Sequence, residues 1–142
     1  MDDRERPGGE AAPACRVVHG GDAYQGRQGI AYFRGLTFAT TGARAISMVA
    51  ATVPPGARTK AHLHRGIETA VYVLEGEIEM SFGAAMSDML RIGAGDYAYI
   101  PADMPHIVVN RSDRAVRAIV AHTSGDDQDG IVMLPELDPK VG

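Results

Sequence analysis

The sequence predicts an all-β fold, a sandwich or a barrel, on three observations. β-Branched and aromatic residues gather in short runs, several of which alternate apolar with polar residues. Glycine and proline punctuate the gaps between those runs. No stretch of useful length carries helical periodicity, and many short strands with turn signals at this spacing pack as two sheets or as a closed one.

Taken in order, the strand candidates are residues 29–38 (GIAYFRGLTF) and 44–53 (RAISMVAATV), each followed by turn-forming residues. Residues 69–82 (TAVYVLEGEIEMSF) hold the clearest alternation, Ile78-Glu79-Met80, after a turn glycine at Gly76. Then come 96–100 (DYAYI), 106–110 (HIVVN), 116–122 (VRAIVAH) and 130–134 (GIVML). Glu75, Glu77 and Glu79 read as a solvated strand face. Arg44 enters an otherwise apolar run and reads as a residue at a solvent-facing strand edge.

Ahead of these runs, residues 1–14 combine charges, prolines and glycines with almost no large apolar side chain. That composition predicts a disordered tail, followed by a single domain over 15–142. The tail carries no apolar signal core, and no apolar run reaches the length of a membrane span. A net charge of -4 and a pI near 5.7, with no lysine or arginine block, argue against a nucleic-acid partner. Cys15 is the single cysteine, so no internal disulfide can form, and a cytoplasmic location is expected.

Two spaced patterns stand out. Gly56 is followed by five residues, then His62-x-His64, three residues, Glu68, and the turn glycine Gly76. Later, Gly95 is followed by five residues, Pro101, four more, His106, three more and Asn110. In these two motifs, in this order and separated by a short hairpin, the chain resembles a small single-domain cupin over about residues 30–122. The resemblance implies an antiparallel double-stranded β-helix, the cupin barrel or jelly roll, and a homodimer built by two-fold pairing of a strand left free, either GIAYF or GIVMLPEL.

Strand geometry gives the pattern a physical reason. Residues i and i+2 share a face, so His62 and His64 point the same way, and antiparallel pairing can set His106 opposite them. Three neutral imidazoles plus a carboxylate suit a divalent transition metal: iron, manganese, nickel, zinc or copper. The expected ligands are therefore His62, His64, Glu68 and His106. Two departures from the family pattern bear on this set. Asp103 stands where a glycine is usual two residues after the proline, a position whose turn aspartate tolerates. Seven residues, not six, separate Glu68 from Gly76, so Thr69 holds the usual carboxylate slot. Glu68 shares the parity of the two histidines along an unbroken strand, whereas a bulge would turn Thr69 inward and leave a three-histidine centre. His19 and His122 lie outside both motifs and read as surface or hydrogen-bonded histidines.

The expected activity is that of a metal-dependent enzyme of dioxygenase, isomerase or lyase type, acting on a small organic substrate. Resemblance to cupin dioxygenases would let Glu68 double as the general base. The alternative is a cupin that binds or senses a small molecule without turnover; a storage-type structural role fits a chain with intact histidines least.

Overall fold

The structure, a computed structural model, describes residues 13–142, so the tail expected over 1–14 lies almost wholly outside the described residues. Apolar side chains alternating along the strands leave each run with one face that must be covered, and two antiparallel sheets facing each other cover both sets. The strands are β1 (Ala23–Gln25), β2 (Ala31–Leu36), β3 (Ser47–Val53), β4 (His62–His64), β5 (Thr69–Glu75) and β6 (Glu77–Phe82). They continue as β7 (Asp88–Gly93), β8 (Tyr97–Ile100), β9 (His106–Val109), β10 (Val116–His122) and β11 (Ile131–Met133). One sheet runs β1-β2-β3-β10-β5-β8 and the other β11-β4-β9-β6-β7, a double-stranded β-helix as the sequence predicts.

The core lies between the sheets. Val49, Ala51 and Val53 from β3, Val116 and Ala118 from β10 and Val73 from β5 face Ile78 and Met80 from β6 and Ile92 from β7. On the far side of the second sheet Ile107 is also wholly buried, because a short 3-10 helix at Pro135–Lys140 closes over it with Leu134, Leu137 and Val141. Arg58 holds that segment in place by donating to the carbonyls of Val141 and Asp138.

One sequence-predicted run ends earlier than expected, and another divides at its turn glycine. The run 29–38 stops as strand β2 at Leu36, because Thr37 caps a one-turn helix α1 (Phe38–Thr41): its hydroxyl accepts from the Thr40 amide while the Thr40 hydroxyl accepts from the Thr37 amide. The run 69–82 is broken at Gly76 into strands of different sheets. There φ is +87° and a Cβ would meet Val116 Cγ2 at 2.7 Å, so both conformation and space call for glycine. The GIAYF segment is not left free as expected, since β1 pairs along β2, while β11 does form one edge of its sheet. Arg44 is exposed, with its guanidinium 5.8 Å from the centre of the Phe38 ring.

The two motifs are pinned to each other away from the histidines. Asn110 is completely buried, and its Nδ2 donates to the carbonyls of Val53, Pro54 and Arg114 while its Oδ1 accepts from the amide and hydroxyl of Ser112. The Gly56 amide donates to the Asn110 carbonyl, closing the start of the first motif on the end of the second. Asn110→Ala strands several of these buried groups and is expected to cost on the order of 3 kcal/mol, measured as a lowered urea midpoint.

Candidate metal centre

The site is built at one end of the barrel, where the inward sides of β3, β5 and β10 change from apolar to polar. On β4 His62 and His64 are two residues apart and both point inward, 3% and 4% exposed. On β9 His106 is paired directly with His62 across the ladder and is 4% exposed. Ring centroids lie 4.3 Å apart for His62 and His106, 5.3 Å for His62 and His64, and 6.1 Å for His64 and His106. One nitrogen from each ring lies within 4.8 Å of the other two. Nitrogens bound to a common metal at about 2.1 Å stand about 3–3.5 Å apart, so small ring rotations complete the convergence.

Hydrogen bonds fix how two of these rings present themselves. His62 Nδ1 lies 2.7 Å from the Lys60 carbonyl and His106 Nδ1 lies 2.9 Å from the Met104 carbonyl. A carbonyl only accepts, so both rings carry the proton on Nδ1 and keep the Nε2 lone pair for the cavity, the second-contact arrangement common to metal-bound histidines. Burial disfavours the charged form of every ring. It holds His62 well below the ordinary histidine range, lowers His64, and brings His106 down to about 4. The Asp129 backbone and the Asp127 carboxylate pull His64 the other way, although its Nδ1 forms no well-aligned hydrogen bond. At neutral pH the three rings are uncharged donors, the state that metal binding requires. The residues present fit a transition metal.

Glu68 is the one expected ligand that the fold does not bring to this point. Expecting it there assumes an unbroken strand from His62, but the chain turns at Arg65 and Gly66, where Gly66 has φ +70°, and crosses to the other sheet. The next strand starts at Thr69, which is 4% exposed and faces the cavity, whereas Glu68 lies on the outer face beside Tyr99. Of the four expected ligands, the cluster of converging side chains holds His62, His64 and His106. Asp103, the other departure, has φ +66°; its Oδ1 accepts from the Gly66 amide and its amide donates to the His64 carbonyl. It ties the second motif's loop to the turn that redirects the chain after His64.

Sequence reasoning missed His122. It is not at the surface but 4% exposed, at the inward end of β10, with its ring centroid 4.7 Å from that of His64 and its pKa brought down to about 4, chiefly by burial. The available signal was parity: Val116, Ala118, Val120 and His122 share one face of a run whose first members are plainly core. His19 is exposed, as is Cys15.

His62, His64, His106, Thr69 and His122 line one cavity of about 70 Å³, whose remaining wall is largely apolar, with Ile30, Val71 and Ile100 among its members. That volume holds a guest of only a few heavy atoms.

The cupin domain family matches residues 49–122. Among solved structures, a double-stranded β-helix protein from Klebsiella pneumoniae superposes with a TM-score of 0.57 at 20% identity, covering 64% of this chain and 76% of that one. A predicted oxalate decarboxylase from Thermotoga maritima gives 0.62 at 18% identity, over 72% and 90% of the two chains. The oxalate decarboxylase of Lactobacillus farciminis, solved with formate, gives 0.67 at 17% identity over 80% of this chain, which spans 33% of that longer one. At these identities the likeness is one of fold. No curated protein matches the sequence.

Two outcomes follow from the geometry. The buried histidines take up protons less readily folded than unfolded, so metal-free protein should keep its stability above pH 6.5 and lose it progressively as pH falls toward about 4, read from urea midpoints across that window. Glu68→Gln should leave bound metal at the wild-type level by atomic absorption; a marked loss would return Glu68 to the ligand set.

Proposed function

The chain belongs to the cupin family, and on that premise we propose that it is a metal-dependent enzyme acting on a small organic substrate, of dioxygenase, isomerase or lyase type. The observation that carries this reading is the convergence of three buried, neutral imidazoles on a small, largely apolar cavity. His62, His64 and His106 would hold the ion, taken from iron, manganese, nickel, zinc or copper. When bound, such an ion polarises an oxygen of the substrate or, if redox-active, brings substrate and dioxygen together. The chain's own contribution is to keep the three nitrogens deprotonated by burial, to aim two of them through the Lys60 and Met104 carbonyls, and to line the rest of the cavity with apolar side chains. With Glu68 on the outer face, the general-base role expected of it has no support from the geometry. His122 and Tyr32 are the titratable side chains of the cavity that the three-histidine centre does not use.

We extend the proposal to a cytoplasmic homodimer without nucleic-acid or membrane partners. The acidic composition, the single cysteine and the open edge at β11 support it.

Purified protein should carry about one equivalent of transition metal, and His106→Ala should lower its metal affinity at least about tenfold without changing the far-ultraviolet circular dichroism spectrum. The fold survives because each fully buried aliphatic side chain contributes roughly 1.5–3 kcal/mol and none is removed. Oxygen uptake with enolic, phenolic or hydroxy-acid substrates would select the dioxygenase type, and turnover without uptake the isomerase or lyase type. Bound metal with no turnover on any of them would favour a binding cupin.

A further inference from the structure

Four buried polar side-chain atoms lack any hydrogen-bond partner among the described residues: Ser47 Oγ, His64 Nδ1, Thr69 Oγ1 and His122 Nδ1. Orphaned atoms of this kind are few in folded proteins and each calls for a cause. Here they are not scattered. His122 pairs across β10 with Thr69 of β5 on one side and with Ser47 of β3 on the other, in register. All three side chains point inward and are at most 4% exposed, and His64 stands against His122. Directly opposed residues on one face of a sheet have Cβ atoms about 5 Å apart, so the three form one lateral polar row beside the three-histidine centre.

We propose that Thr69 and His122, with Ser47 behind His122, anchor a small carboxylate whose other oxygen faces the metal held by His62, His64 and His106. This deepens the enzymatic reading above and rests on it. Charge selects an anion. The three ligands are neutral, the residue in the usual carboxylate slot is Thr69, and Glu68 is outside the cavity. The buried carboxylate of Asp127 is taken up by the Tyr24 hydroxyl at 2.6 Å and the Gln128 amide at 3.1 Å, and does not line the cavity. A divalent ion would therefore keep its whole charge in a low-dielectric site, and a guest bearing one negative charge offsets part of it. Donor chemistry selects a carboxylate: a hydroxyl and an imidazole N–H suit one oxygen while the metal takes the other. The cavity of about 70 Å³ with its apolar remainder limits the rest of the molecule to a short chain.

The test uses the full chain loaded with cobalt(II), with acetate as the probe and acetamide as its uncharged counterpart. Cobalt content is read by atomic absorption, and binding by the change in the visible cobalt spectrum. Acetate should bind the wild type at least about tenfold more tightly than acetamide. Thr69→Val and His122→Leu should each weaken acetate about tenfold at unchanged cobalt content. Ser47→Ala should have a smaller effect of the same sign. Thr69→Val conserves shape, so the test stands even where His122→Leu folds poorly. Acetate affinity unaltered in Thr69→Val and His122→Leu would overturn the anchor while leaving the metal centre intact. Cobalt lost in His122→Leu alone would make His122 a fourth ligand and likewise overturn it. A wild type that takes up no cobalt would overturn the metal reading itself, and with it the charge argument.

Discussion

The pairing of His62 with His106 across β4 and β9 is the constraint on which the site depends. Side chains alternate along a strand, so slipping that register by one residue would carry one of the two histidines to the opposite face and dissolve the cluster. Register here is held by groups that take no part in the centre. Asn110 gathers three carbonyls at one end of β9, Asp103 straps its preceding loop to the His64 turn, and Ile107 fills the space under the C-terminal 3-10 helix. Each is a sequence feature of the second motif or its flank, which explains why the motif extends well beyond its single histidine.

The legible part of the sequence was what depends on local periodicity and on short, fixed spacing. The runs that became β3, β5, β6, β8, β9 and β10 announced themselves by alternation and β-branched residues, and His62, His64 and His106 by strand parity and motif spacing. What could not be read depends on where a strand stops. The parity of Glu68 looked inward only if the strand ran on from His64, and the turn at Gly66 removed that premise. β7 was missed because Asp88, Met89, Leu90 and Arg91 are all exposed, whichever face they take, so no alternation of apolar and polar residues marks it. His122 was missed for a different reason: it belongs to no motif, and its proximity to His64 arises from sheet order, which places β10 between β3 and β5.

Electrostatically the centre is unusual in being assembled from neutral groups. A carboxylate among the ligands would offset part of the charge of a bound ion, and its absence shifts that task to whatever else enters the cavity. The same absence has a consequence for the metal-free protein. With no buried anion in contact, nothing offsets the burial that depresses His62 and His106 apart from the single carbonyl that each ring meets. The rings are thus ready to bind without first releasing a proton at neutral pH, unlike exposed histidines, which are partly protonated in that range.

The placement of the polar row completes this account. Along β3, β10 and β5 the inward positions are filled by Val49, Ala51, Val53, Val116, Ala118, Val71 and Val73, except at the shared end, where Ser47 starts β3, Thr69 starts β5 and His122 ends β10. An orphaned buried hydroxyl or imidazole nitrogen costs about 1–3 kcal/mol, a substantial charge on a domain whose net stability is usually about 5–15 kcal/mol. Confining those groups to one end leaves the middle of the barrel uniformly apolar and able to carry that cost. It also separates two demands that conflict within one cavity. The apolar body keeps the sheets in register, and that register sets the histidines and the polar row side by side without asking either to hold the fold together.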